Sequence, residues 1–401
     1  MSSWNLPLPL LLDGATATML QQQGMPREAN TAQWVLQHPD QLVQLQRRYV
    51  AAGCDVLYTA TFDANRAALD QRGEQSSVAK INRELVELSK KAAGKQTKIA
   101  GCLSPVGMNE YWTERNPDLT PMIAIFREQA EALAEAGVDF LVCESMQTLC
   151  QARAALLGAR STGLPVAVTF SVNEQGKTIT GGRLLPAVIT LQSMGAAAIG
   201  LDCSHGPAAM LRPLKKALSH AAVPLVAKPS VICGETELSP LQFAEEMKKL
   251  MDTGAVLVGG CCGAKPEHMA VLRGVVDTHE VVISREIDDH AVANDKEAFF
   301  LAEDLYSSPI LDCNSRLADN LIDAEDTYNV ARVEIACEED IGEFLEAAEV
   351  CRLPLAVYTN TPALLENVLV RYNGRLMVDS VCDMERKELE EIAARYGAVV
   401  Y

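Results

Sequence analysis

The strongest constraint on the fold is a regular alternation of short apolar runs with amphipathic segments through about the first 278 residues. The runs are continuously apolar, which is typical of strands buried on both faces of a parallel sheet. Several intervening segments end in glycine just before the next run, as helix C-termini commonly do. The eight runs are LPLPLLLD, CDVLYTATF, KIAGCLS, VDFLVCES, PVAVTFSV, AAAIGLDCS, VPLVAKPS and AVLVGGCC.

The number and spacing of these runs predict a closed barrel. Eight strand–helix repeats in about 275 residues match a (β/α)8 TIM barrel in both count and length. The alternative is a doubly wound open sheet, but no GxGxxG phosphate-binding turn follows the first run. We therefore expect an α/β chain whose first part is a (β/α)8 barrel.

The rest of the chain predicts a smaller α/β unit. Residues 281–305 are charged and poorly periodic, which indicates a linker. Beyond them the strand-like runs ARVEIAC, LPLAVYT, GRLMVDS and AVVY alternate with three helical segments, far short of a second full barrel. We therefore divide the chain into a barrel (1–280), a linker (281–305) and a small partial α/β domain (306–401).

Composition excludes several classes of partner. A net charge of −18 argues against nucleic acid, because binding a phosphate backbone requires clustered positive charge. No run approaches the ~18 apolar residues of a membrane span. The first residues have no basic segment of the kind that opens a signal peptide. Twelve cysteines in such a chain predict a cytoplasmic protein whose thiols stay reduced.

Polar residues collect where the predicted strands end, and catalytic groups of barrel enzymes lie at those ends. Three of them are cysteines, Cys203 after the sixth strand and the pair Cys261–Cys262 after the eighth. Three thiolates with one open position are typical of a catalytic zinc site, and soft sulfur ligands favour zinc over magnesium or calcium. Glycines flank the pair and permit a sharp turn. The full set is Asp13, Thr61, Glu144, Asp202, Cys203, Lys228, Cys261 and Cys262.

From the residues alone, each of these assignments has an alternative. The pair Cys261–Cys262 can be two small buried residues at the end of an apolar strand. His205 can be a further ligand or simply a polar surface residue. Lys228 can be an amine nucleophile or an ion-pair partner. Glu144 can accept a substrate ammonium group or cap the following helix.

Five segments in order resemble the signature blocks of the zinc-dependent homocysteine S-methyltransferase family. They are LLLDGATATMLQ, AAGCDVLYTATFDAN, GLDCSHGP, AKPS and VGGCCGAKPEHM, and the resemblance spans residues 8 to 275. It is closest to the homocysteine-binding N-terminal module of cobalamin-dependent methionine synthase. The resemblance implies a (β/α)8 barrel with zinc on Cys203, Cys261 and Cys262. It also implies that the Asp13–Gly14 turn and Glu144 bind homocysteine.

The chain departs from this family at two positions. Asp202 stands where the family commonly has Asn before the first zinc cysteine, which alters the charge near the site. Asp63 stands where relatives often have Asn or Tyr. The contributions of Asp63 and of His205 to the site therefore stay open.

The C-terminal residues carry a second resemblance. NTPALLENVLVRYNGRLMVDSV and ARYGAVVY resemble part of a pterin-binding barrel, but about 100 residues are too few for the whole barrel. We expect a structural or docking role. No cobalamin-binding module is visible, since DDHAVA lacks the final glycine of the DxHxxG pattern.

These resemblances imply methyl transfer to the thiol of homocysteine, giving methionine. The expected donor is methylcobalamin on a separate corrinoid protein. The alternatives are S-methylmethionine, S-adenosylmethionine or a betaine as donor, or a non-catalytic subunit that binds a thiol within a larger methyltransferase complex. A zinc hydrolase fits less well, because such sites favour histidine and carboxylate ligands.

Overall fold

The computed structural model describes residues 4–71, 73, 77–106, 118–204, 206–281, 287–301 and 304–401. They form two compact units. The first contains the described residues of 1–107, 120–184 and 196–286, and the second contains those of 108–119, 185–195 and 287–401.

The first unit contains eight parallel strands in one sheet, which confirms the predicted (β/α)8 barrel. The strand order is β1-β8-β7-β6-β5-β4-β3-β2, and a parallel bridge from Leu12 to Val56 joins the first strand to the second. The strands are β1 (Leu10–Leu11), β2 (Val56–Tyr58), β3 (Lys98–Leu103), β4 (Phe140–Met146), β5 (Val166–Phe170), β6 (Ala198–Asp202), β7 (Leu225–Lys228) and β8 (Ala255–Val258).

Helices alternate with these strands along the sequence. Most are amphipathic; in the helix Val78–Ala92, for example, Ile81, Leu85 and Leu88 are buried at helical spacing. The helices are α1 (Ala17–Gln22), α2 (Thr31–Gln37), α3 (Pro39–Ala51), α4 (Arg66–Asp70), α5 (Val78–Ala92), α6 (Thr120–Glu135), α7 (Leu149–Ala159), α8 (Leu184–Ser193), α9 (Pro207–Leu218), α10 (Pro240–Asp252) and α11 (Pro266–Thr278). A short 3-10 helix (Arg160–Thr162) follows α7.

The first strand is shorter than its apolar run. Of LPLPLLLD, only Leu10–Leu11 forms a strand. Proline has no N–H to donate to a sheet, so Pro7 and Pro9 exclude the earlier residues from the ladder. Those residues instead cover the core inside the barrel, where the Trp4 ring packs edge-on against Phe140 with the ring centroids 5.0 Å apart.

The second unit is a partial α/β structure, as predicted for the C-terminal part. Its parallel sheet has the order β9 (Ser307–Leu311), β10 (Val330–Glu334), β11 (Leu355–Tyr358), β12 (Met377–Val378) and β13 (Val399–Val400). The connecting helices are α12 (Leu317–Glu325), α13 (Glu338–Ala348), α14 (Pro362–Arg371) and α15 (Arg386–Tyr396). Strand β9 and helix α12 were not predicted from the sequence. The β9 segment SSPIL contains a proline and little apolar surface, so its composition does not favour a strand.

Two short antiparallel ribbons accompany the parallel sheets. One pairs Ile232–Cys233 with Thr236–Glu237, between β7 and α10. The other pairs Val292–Ala293 with Ala298–Phe299. Within the described ranges, no helix is long and apolar enough to cross a membrane.

Candidate active site

A cavity of about 360 Å³ lies at the carboxyl ends of the barrel strands. This is the end at which barrel enzymes carry their catalytic groups. All six residues predicted to bind metal or substrate line it, namely Asp13, Gly14, Glu144, Cys203, Cys261 and Cys262. The structure therefore brings together residues that are far apart in the sequence.

The three predicted zinc ligands form one cluster. The Sγ atoms of Cys203, Cys261 and Cys262 all lie within 4.8 Å of one another. Those of Cys203 and Cys262 are 3.1 Å apart, and those of Cys261 and Cys262 are 4.0 Å apart. Each cysteine is half-buried, so the cluster faces the cavity while remaining accessible to a ligand.

Backbone conformation turns each cysteine toward the others. Cys203 follows β6 with a φ of +40°, an uncommon left-handed conformation for a residue with a side chain. The Cys261 N–H donates to the Pro229 carbonyl at 2.8 Å, and the Cys262 carbonyl accepts from Val231 N–H at 3.1 Å. Gly263 then takes a φ of +78°, which supplies the turn after the pair.

The donor set fits a zinc ion. A zinc–sulfur distance of ~2.3 Å in a tetrahedral site puts neighbouring sulfur atoms ~3.8 Å apart, which is close to the spacing in the cluster. Hydrogen bonds from the thiols of Cys203 and Cys261 lower the pKa of Cys262. The cluster therefore favours at least one thiolate, the form that binds a metal.

The Asp13–Gly14 turn forms another wall of the cavity. Asp13 is 1% exposed, and its Oδ2 accepts a hydrogen bond of 2.9 Å from Tyr58 N–H. A Cβ atom on Gly14 would lie 2.5 Å from the Ala264 carbonyl oxygen and 2.7 Å from the Tyr49 hydroxyl. Only glycine fits at that position, so the turn brings the first strand close to the loop that carries the cysteine pair.

Two more charged residues complete the polar wall. Lys228, at the end of β7, places its Nζ 3.5 Å from Glu144 Oε1 and 3.7 Å from Asp13 Oδ1. The other Glu144 oxygen, Oε2, accepts from the Cys102 thiol at 3.0 Å. Lys228 Nζ also lies 4.7 Å from the centroid of the Tyr58 ring. Of the two alternatives for Lys228, the structure shows the ion pair.

Burial and the neighbouring charges determine the protonation states of Asp13 and Lys228. It raises the pKa of Asp13 to about 7, an effect that the positive charge of Lys228 partly offsets. Burial by itself would lower the pKa of Lys228, but the carboxylates of Glu144 and Asp13 outweigh it and raise that pKa well above its ordinary value. Lys228 therefore stays cationic at neutral pH, while Asp13 can change its charge there.

Asp202 does not line the cavity, although it bonds to a residue that does. It is fully buried, and its Oδ2 accepts a hydrogen bond of 2.9 Å from Ser145 Oγ. Burial, followed by the charge of Glu144, raises the pKa of Asp202 to about 7. Ser145 has a φ of +59° and lies where the pairing of β4 with β5 is irregular. Glu144, which lines the cavity, lies within the same irregular stretch.

The sequence did not decide whether Asp63 and His205 contribute to the site. Asp63 lines the cavity, and its Oδ2 accepts a long hydrogen bond of 3.4 Å from Thr31 N–H at the start of α2. Its backbone carbonyl accepts from the Asn30 side chain at 3.0 Å. His205 lies outside the described residues.

Tyr58 and Cys102 also line the cavity, although neither was predicted from the sequence. Both sit inside apolar runs, where nothing marks them as functional. The sequence signal that could have identified them is the alternation of side chains along a strand, since residues two positions apart point to the same face. Tyr58 is two positions after Val56, and Cys102 is two positions after Ala100, and all four belong to the core inside the barrel.

The chain is similar to known proteins over most of its barrel part. The family model described as homocysteine S-methyltransferase matches residues 10–276. Methionine synthase from Mycobacterium leprae is 28% identical over 264 residues, which cover 59% of this chain and 21% of that protein. Methionine synthase from Mycobacterium tuberculosis is 26% identical over 264 residues, which cover 59% and 22%. The matched part of the chain thus spans about a fifth of these relatives.

A solved structure with a related sequence supports the same assignment. The homocysteine methyltransferase MmuM from Escherichia coli, in its metallated form, is 25% identical with a TM-score of 0.58, and the match covers 66% of this chain and 95% of that one. The oxidized form of MmuM gives the same identity, TM-score and coverage. The family model matches well over half of the length of this chain. The chain therefore belongs to the homocysteine S-methyltransferase family.

Proposed function

We propose that this chain transfers a methyl group to the thiol of homocysteine, giving methionine, and that it does so with zinc bound to Cys203, Cys261 and Cys262. The observation that carries the proposal is the cluster of three cysteine sulfur atoms within 4.8 Å of one another, facing a cavity that the carboxylates of Asp13 and Glu144 also line. Three thiolates leave one position on a tetrahedral ion for a substrate thiol. The family assignment and the similarity to MmuM support the same acceptor.

Activation of the substrate thiol is the chemical problem that such a site addresses. A free thiol has a pKa of ~8.5, so only a few per cent is thiolate at neutral pH, and the thiolate is the nucleophile. Zinc, when bound, supplies the positive charge that favours the thiolate form of a thiol ligand. The protein's own part is orientation: Asp13 and Glu144 offer carboxylate oxygens to the substrate ammonium group.

The donor that we propose is methylcobalamin on a separate corrinoid protein. A small onium donor such as S-methylmethionine or a betaine binds best against aromatic faces. Among the described lining residues the aromatic ones are Tyr58, whose ring lies beneath Lys228, and Phe62, which is 37% exposed. The described part of the chain therefore forms no enclosed aromatic cage for an onium ion, which favours a donor carried to the open end of the cavity. Because its three thiols must stay reduced, we also propose a cytoplasmic location.

The test is metal analysis combined with product analysis. We expect the purified protein to retain zinc and to form methionine from homocysteine and a methyl donor. Cys261→Ala should abolish both. Cys143→Ala is a matched control, because this buried β4 thiol does not line the cavity, and it should preserve both. Full zinc content and activity in the Cys261→Ala variant would contradict the proposal.

Comparing donors in the same assay identifies the methyl source. Turnover with methylcobalamin supports the corrinoid assignment, whereas turnover with S-methylmethionine, S-adenosylmethionine or a betaine alone would reassign the donor and leave the acceptor unchanged. Tight homocysteine binding without turnover on any donor would instead indicate a thiol-binding subunit.

A further inference from the structure

The proposed reaction gives no role to Lys228, although its ammonium group lines the cavity. The residue is 4% exposed, so the positive charge is buried. A hydrogen bond between an ammonium group and a carboxylate is usually about 2.7–2.9 Å long. The distances from Lys228 Nζ to Glu144 Oε1 and Asp13 Oδ1 are 3.5 and 3.7 Å. Within the described residues the ammonium group thus makes one long hydrogen bond, to Glu144 Oε1, and an ion pair with Asp13, so it retains N–H donors for a ligand.

The acceptors beside Lys228 are also incompletely used. Asp13 Oδ1 is buried and has no hydrogen-bond partner among the described residues. Burying a polar atom without a hydrogen bond is costly, so such an atom in a cavity wall indicates a ligand. Unused donors and an unused acceptor thus face the same cavity.

The charges are arranged as the complement of an α-amino acid. Such a ligand brings one ammonium and one carboxylate, and the cavity offers two carboxylates around one ammonium. A ligand with an ammonium group alone can pair with the two carboxylates, but it offers Lys228 no acceptor. A ligand with both groups can pair each of them with the opposite charge.

We propose that Lys228 binds the carboxylate of the substrate amino acid, while Asp13 and Glu144 bind its ammonium group. The inference rests on the proposed function and makes Lys228 the residue that selects homocysteine over simpler thiols. Thiols that lack the carboxylate should be discriminated against through this one side chain.

The experiment measures the binding of two probes to the zinc-loaded protein by calorimetry. The probes are homocysteine and its decarboxylated analogue, an aminoalkyl thiol of the same length. The wild-type protein should prefer homocysteine. In Lys228→Met, which is unbranched, one atom shorter and uncharged, homocysteine affinity should fall about tenfold to a hundredfold, the range expected for one hydrogen bond to a charged group. Affinity for the analogue should stay constant or rise.

Two further variants keep the test decisive. Lys228→Arg retains the charge and should retain most of the preference for homocysteine. The double variant Lys228→Met with Asp13→Asn avoids leaving both neighbouring carboxylates without a counter-charge, and it should also lose the preference if the single variant does not fold. Zinc content reports that the cysteine cluster is intact in each variant.

The outcomes separate this inference from the function on which it rests. If homocysteine binds and Lys228→Met lowers affinity for both probes equally, or for neither, Lys228 has no role in recognising the carboxylate. If wild-type protein binds both probes equally well, the inference fails in the same way. Absence of homocysteine binding by zinc-loaded wild-type protein overturns the proposed function as well.

Discussion

At the scale of single residues, Gly14 is a position in the cavity wall that has no room for a side chain. A methyl group there would press on the Ala264 carbonyl oxygen at 2.5 Å and the Tyr49 hydroxyl at 2.7 Å. We expect Gly14→Ala to lower the free energy of unfolding by about 1–3 kcal/mol, the usual cost of overpacking, and to weaken homocysteine binding. Chemical denaturation and calorimetry measure the two effects.

Gly274→Ala is the matched control for that substitution. Gly274 lies within α11, and a Cβ atom there meets nothing within 4 Å. Alanine is the better helix former by up to about 1 kcal/mol, so this variant should be unchanged or slightly more stable. Equal behaviour of the two variants would contradict the steric argument.

The protonation of Asp13 makes ligand binding depend on pH. Its pKa is raised to about 7 by burial, and only the carboxylate form attracts an ammonium group. Affinity should therefore be complete above pH 7 and decline as the pH falls through that value. Methionine, the expected product, is a suitable probe because it has no thiol to titrate. Its dissociation constant should rise severalfold between about pH 8 and pH 6.

Asp13→Asn provides the control for the pH experiment. The amide cannot ionise, so this variant should bind methionine more weakly at high pH and show a flat profile between pH 6 and pH 8. The pKa of Lys228 is raised well above its ordinary value, so this residue stays cationic between pH 6 and pH 8. A wild-type profile as flat as that of the variant would exclude Asp13 as the titrating group.

At the scale of elements, helix α3 links the two loops that form the site. The hydroxyl of Tyr49 lies 2.8 Å from the carbonyl oxygens of Ala15 and Ala264, which follow β1 and the cysteine pair respectively. We expect Tyr49→Phe to cost about 1–2 kcal/mol of stability and to lower zinc affinity, because it releases the loop after β8. Competition with a chelator of known affinity measures the second effect.

Tyr396→Phe tests whether the loss of any buried tyrosine hydroxyl produces the same result. Tyr396 donates to Glu366 at 3.0 Å in the second unit. The substitution should lower stability there without changing zinc affinity. Equal loss of zinc affinity in both variants would show that the effect does not pass through the loop.

The elements also show how far sequence reasoning reaches. Parallel strands buried on both faces give continuous apolar runs, and all eight barrel strands could be predicted from them. The cysteine cluster could be predicted because strand ends of a barrel converge. The position of Lys228 between Asp13 and Glu144 could not, since three strands of unknown tilt decide which side chains meet. The length of the first strand was overestimated because its run is apolar throughout. Pro7 and Pro9 lack the N–H that a strand residue donates, so the ladder begins only at Leu10.

At the scale of the whole molecule, the two units have separate hydrophobic cores. Units with their own cores can unfold in separate transitions, and a ligand stabilises only the unit that binds it. The cysteine cluster belongs entirely to the first unit. Removal of zinc should therefore shift one transition and leave the other in place.

The size of that shift follows from the binding equilibrium. At a free zinc concentration about a hundredfold above the dissociation constant, the bound ion adds about 2.7 kcal/mol to the stability of the native unit. For a domain of this size, 1 kcal/mol corresponds to about 2–4 °C, so the barrel transition should fall by roughly 5–10 °C when zinc is removed. Scanning calorimetry with and without a chelator measures it. The Cys261→Ala variant should show no shift, and a shift of both transitions in the wild-type protein would mean that the two units unfold together.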